Sequence, residues 1–110
     1  MKALTPYERQ AVADTFKKAK AIFEKGNFVY ICTALGGTFR YRCSEEYRAY
    51  KLAKAIVMER LEGQNSLERW LKKQGFFIPR DPSPELEHKL RNHRLQWLDL
   101  LIAEFEGDKP

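Results

Sequence analysis

The sequence predicts a mainly α-helical fold, a compact bundle of four or five helices. Three observations predict it. Helix caps stand where helices should begin, apolar residues return at helical spacing between them, and the few glycines and prolines fall at segment boundaries. A chain of 110 residues fits one domain, 1–110, and an apolar share of 44% supplies a core.

The first helix is signposted by Thr5 as cap, Pro6 at the first helical position and Glu8 completing a capping box. Val12, Phe16, Ala19 and Phe23 recur along one face, and Gly26 stops the helix. Lys17, Lys18, Lys20 and Lys25 lie in its second half, where cations suit the negative end of the helix dipole.

Residues 28–43 admit two readings. Phe28-Val29-Tyr30-Ile31-Cys32-Thr33 has strong β propensity and could pair with 38–43 across Gly36-Gly37 as a short β-hairpin. Alternatively Asn27 caps a short helix, Phe28, Ile31, Cys32 and Leu35 share one face, and Gly36 ends it. The next helix starts near Ser44, with Glu45 and Glu46 in its first turn. Its apolar stripe reads Tyr47, Tyr50, Ala53, Val57 and Leu61, and Gly63 closes it.

A fourth helix is expected from Asn65 and Glu68 as a capping box, with Leu67, Trp70 and Leu71 as its apolar face and Gly75 as its stop. In 76–83 two prolines forbid regular structure, yet Phe76, Phe77 and Ile78 are apolar enough to be expected on the core. Ser83 and Pro84 open the last helix, expected over 84–106. Eight of the eleven residues 95–105 are apolar, so this helix is expected either at the centre of the bundle or with one face against another copy as a homo-oligomer.

No stretch approaches the roughly 18 apolar residues of a membrane span, and the first residues lack a signal-peptide core. The chain therefore reads as cytoplasmic, with no membrane partner. Cys32 and Cys43 are too few for a disulfide framework and read as reduced thiols.

No nucleophile elbow, phosphate-binding glycine loop or dinucleotide fingerprint is present. Cys32, Cys43, His88 and His93 lack the tight pairs of a tetrahedral metal site. His88, His93 and Asp99 are the residues a hydrolase or nuclease would have to use, but no set converges, and the sequence reads as non-enzymatic with no cofactor.

Charge is uneven. Residues 1–54 hold 11 Lys/Arg against 5 Asp/Glu, a net of +6, and 55–110 hold 9 against 10, a net of −1. Within the basic half, Arg40, Tyr41, Arg42, Tyr47, Arg48, Tyr50, Lys51 and Lys54 form the candidate ligand-binding set. Arginine forks suit phosphate, flat aromatic faces suit a nucleobase, and lysines add positive field. Glu45 and Glu46 count against this assignment, because they place negative charge beside it. The basic surface is too small for a long duplex, and no helix-turn-helix or RNA-recognition signature is present.

Ile31-Cys32-Thr33-Ala34-Leu35, Arg60-Leu61, Leu67-Glu68-Arg69-Trp70-Leu71 and Arg94 through Ile102 form a spaced pattern over residues 28–106. The pattern resembles small uncharacterised proteins encoded in tailed-phage genomes. The resemblance implies a helix at 28–35 and a phage setting, hence the host cell cytoplasm. Accessory proteins of that setting disarm host defences by binding. The reading that follows is a counter-defence protein that sequesters an anionic small molecule such as a nucleotide signal. The alternative is an inhibitor or adaptor that grips a host protein through the apolar C-terminal helix and the Phe-rich loop.

Overall fold

Helix α1, Pro6–Lys25, organises the molecule in the computed structural model, which describes residues 3–26, 31–60, 62 and 65–106. Its start is closed by both halves of the expected capping box. The Thr5 hydroxyl accepts the Glu8 amide at 3.1 Å, and the Glu8 carboxylate accepts the Thr5 amide at 2.9 Å. Val12, Ala13, Phe16, Ala19 and Phe23 are fully buried. Large and small residues alternate on this arc, so neighbours approach α1 from several sides.

The other helices are α2 (Ile31–Leu35), α3 (Glu45–Glu59), α4 (Ser66–Lys73) and α5 (Pro84–Glu106). α1 packs along α5 and also against α2 and α3. The centre of the bundle is therefore α1 and not the last helix, a correction to expectation. α5 buries one stripe, Leu90, Arg94, Leu98, Leu101 and Phe105, and leaves Leu100 69% exposed. A high apolar count did not mean burial all round, because the helix has neighbours on one side only.

Between the two readings of 28–43, the helix holds over Ile31–Leu35, and no strand occurs among the described residues. The expected cap Asn27 and the start at Phe28 lie outside the described residues. Gly37 sits where the loop after α2 presses on α1: an added Cβ would stand 3.2 Å from the Ile22 side chain. Gly37 thus serves a close approach.

α3 is capped by Ser44 as expected, its hydroxyl accepting the Tyr47 amide at 3.1 Å. Its buried stripe is Ala49, Ala53, Ile56 and Val57. Tyr47 and Tyr50 are only half-buried and sit on the flank of that stripe. Leu61 and Gly63, expected at its end, lie outside the described residues.

α4 departs furthest from expectation. Asn65 makes no side-chain cap and Glu68 closes no capping box. Both side chains instead accept from the Arg94 guanidinium of α5, Glu68 at 3.0 Å and Asn65 at 3.4 Å. Arg94 is only 2% exposed, and a buried guanidinium requires such acceptors. The demand of a buried charge overrides a local cap.

The end of α1 is finished from a distance. Arg91 of α5 donates to the carbonyls of Phe23, Glu24 and Gly26 at 2.7, 2.5 and 2.6 Å. These are acceptors that a helix C-terminus leaves unsatisfied. At the opposite end of α1, the Arg9 and Arg60 guanidinium carbons lie 4.9 and 5.6 Å from the centroid of the Phe105 ring.

Candidate functional site

The lysines of α1 account for much of the basic half without any ligand. Lys17 pairs with Glu106, Lys18 with Glu46 at 3.3 Å, and Lys20 with Asp99 at 2.7 Å. The Lys20–Asp99 pair is half-exposed.

Five further cations of the basic half, Arg40, Arg42, Arg48, Lys51 and Lys54, lie on residues 40–54. Phe39, Tyr47 and Tyr50 form an aromatic cluster, with ring centroids 4.8 Å (Phe39–Tyr47), 4.7 Å (Phe39–Tyr50) and 5.7 Å (Tyr47–Tyr50) apart. The Lys51 ammonium lies 5.6 Å from the Tyr47 centroid and that of Lys54 lies 5.9 Å from the Tyr50 centroid. In the preceding loop Arg40 lies 5.6 Å from the Tyr41 centroid. Arg40, Tyr41, Arg42, Lys51 and Lys54 are all exposed. No ion pair is found for these cations among the described residues.

Seven of the eight candidate residues thus fall on the 40–43 loop or on one flank of α3. Arg48 does not. It lines the cleft between α1 and α3, on the other side of the helix. Successive residues of a helix point about 100° apart, so a contiguous run of sequence reaches both flanks.

Glu45 and Glu46 also turn away from the basic flank. The Tyr7 hydroxyl donates to Glu45 at 3.1 Å, and Glu46 holds Lys18. The hydrogen bond to Glu45 raises the Tyr7 pKa, because it favours the protonated phenol. The acidic pair that argued against a phosphate site therefore belongs to the cleft. That cleft, about 360 Å³, carries Glu8, Asp14, Glu45 and Glu46 against Lys18 and Arg48. Carboxylates outnumber cations in that cleft, four against two, whereas the open flank of α3 presents Lys51 and Lys54.

The groups considered for chemistry do not converge. Cys32 is half-buried and Cys43 exposed, and both are free. Burial pushes the Cys32 thiol above its ordinary pKa, with the Lys54 charge acting in the opposite direction. It is a neutral thiol at the core edge. His88 bonds Asn92 within its own helix at 3.0 Å, while His93 bonds Ser66 of α4 at 2.9 Å. Among the described residues no group of three His, Cys, Asp or Glu stands close enough to hold a metal ion.

The apolar residues expected to pack inside at α4 and the loop after it do so only in part. Phe76 and Phe77 are 45% and 71% exposed, so the expectation that they pack on the core is corrected. Ile78 alone of the three is half-buried. Trp70, expected on the inner face of α4, is 57% exposed. Leu67 and Leu71 lie half-buried, and Trp70 lies outside their arc.

Compared with known proteins, the chain matches no family model, no curated protein and no solved structure.

Proposed function

We propose that this chain is a non-enzymatic binding protein that captures a phosphate-bearing ligand on the open flank of α3. One observation carries the reading. The cations of 40–54 stand exposed beside aromatic rings, while the neighbouring carboxylates Glu45 and Glu46 are engaged toward α1. Arg40 and Arg42 present guanidinium forks to phosphate. Tyr41, 60% exposed, offers a face for a nucleobase, and Lys51 and Lys54 add positive field. Tyr47 and Tyr50, packed with Phe39, serve as the platform that holds those two lysines. A phage-encoded accessory that sequesters a nucleotide signal is the setting in keeping with the sequence resemblance.

The test is thermal unfolding against linear and cyclic nucleotides at low and moderate salt. A ligand at about 100 times its dissociation constant should add about 2.7 kcal/mol to stability. The Arg40→Ala/Arg42→Ala protein should melt at the wild-type temperature alone and lose the ligand-induced shift. A shift retained in that variant removes the assignment.

A further inference from the structure

α4 and the stretch after it carry large apolar side chains that the fold leaves uncovered. No residue of α4 is buried, and Trp70, Phe76 and Phe77 are all exposed. The chain reverses at Gly75, whose φ of 84° is in the left-handed region. The Gly75 amide donates to the Lys72 carbonyl and the Phe76 amide to the Leu71 carbonyl, both at 3.0 Å. This double closure turns the chain back at the last turn of α4, immediately before Phe77.

The same end is cationic. Lys72 and Lys73 occupy the last turn of α4 and Arg80 follows Pro79, all exposed and none in an ion pair among the described residues. Asp81 is the single acidic residue between 70 and 81, and Arg69 is held by Glu62 at 3.0 Å. Glu85 and Glu87 belong to the first turn of α5.

Exposed Trp and Phe with unpaired Lys and Arg close by in the sequence match the chemistry of an anionic bilayer surface. Aromatic side chains settle at the boundary between headgroups and acyl chains, and basic side chains reach the lipid phosphates. A protein partner would have to offer matching pockets to these anchors. A bilayer needs only exposed aromatics and uncompensated cations on one short element, and both are present. We infer that α4 and residues 74–80 form a docking surface for an anionic phospholipid bilayer. The contact is peripheral: among the described residues no helix is long and apolar enough to cross a membrane. The expectation of no membrane partner rested on the lack of a spanning segment, and a surface contact needs none.

The experiment is co-sedimentation of the full chain with vesicles of phosphatidylcholine alone and of phosphatidylcholine mixed equally with phosphatidylserine. Binding is expected to the mixed vesicles only, weakening with salt. A blue shift of tryptophan emission should accompany it and be missing from Trp70→Phe. Lys72→Ala/Lys73→Ala should bind on the order of 30-fold more weakly, from the attraction per basic residue near such a surface. Phe77→Glu should abolish binding, with an unchanged melting temperature showing that the fold is intact. Arg40→Ala/Arg42→Ala should bind vesicles as the wild type does, which separates this surface from the proposed phosphate site. Absence of binding to the mixed vesicles at low salt overturns the inference and returns the surface to a protein partner. Binding unaffected by Phe77→Glu and the two lysine substitutions overturns it too, because net charge alone would then be responsible.

Discussion

α1 and α4 have similar helical signatures in sequence, and the fold treats them oppositely. α1 buries five apolar side chains completely, whereas α4 buries none. α1 is held by packing. α4 is held to α5 by polar contacts, Glu68 and Asn65 on Arg94 and Ser66 on His93. Apolar burial adds stability roughly in proportion to area, but a buried ion pair gives back in desolvation much of what it gains. The two regions should therefore open at different free energies, α4 well below α1.

The largest effect expected from this contrast lies in the core. Phe16 is fully buried, with its ring 6.2 Å from that of Phe105. Phe16→Ala should destabilise the whole domain by about 3–5 kcal/mol in urea unfolding. A cost near that of a surface substitution would mean that α1 is not the centre of cooperativity.

A smaller and more local effect is expected at Arg94. Its removal leaves Glu68 without its guanidinium partner, and breaking such buried pairs costs about 3 kcal/mol. In Arg94→Ala, amide exchange should accelerate across 66–73 while 12–23 keep their protection. Uniform acceleration would join α4 to the same cooperative unit as α1 and dissolve the contrast.

The smallest effect is a pH dependence at the rim of the core. The Arg60 guanidinium donates to both Glu104 carboxylate oxygens, at 2.7 and 2.8 Å. That hydrogen bonding holds the Glu104 carboxyl below its ordinary 4.5. With the folded pKa depressed, the unfolded chain binds the proton more readily. The contribution is then present above pH 4.5 and lost as pH falls through the lowered value. Both side chains are nearly half-exposed, so about 0.5–1 kcal/mol is expected. Glu104→Gln should be less stable than the parent by that amount at neutral pH, and the gap should close in acid. A gap of equal size at both pH values would assign the loss to something other than this ion pair.

What the sequence made legible was local. Thr5, Pro6 and Glu8 give the start of α1, Ser44 the start of α3, and Ser83-Pro84 the start of α5, because each cap closes on a residue within one turn. The same logic failed at Glu68, whose partner Arg94 is 26 residues away. It failed for Trp70, Phe76 and Phe77, since an apolar residue states a preference for burial and the topology decides whether a neighbour is there to grant it. At the candidate site the residue types were readable and the grouping was not. Arg48 left the set and the two glutamates ceased to oppose it, because helical phase and long-range partners sort one run of sequence onto two flanks.

The arginine that closes α1 bears on how the chain assembles. Its three acceptor carbonyls lie 65 to 68 residues earlier in the sequence. During synthesis the end of α1 leaves the ribosome long before Arg91 exists, and water must hold those carbonyls in the interval. The last turn of α1 is therefore completed late, when α5 docks, even though the first turn carries its own closure from the start. One helix thus matures at two times, with its nucleus at the capping box and its final turn waiting on α5.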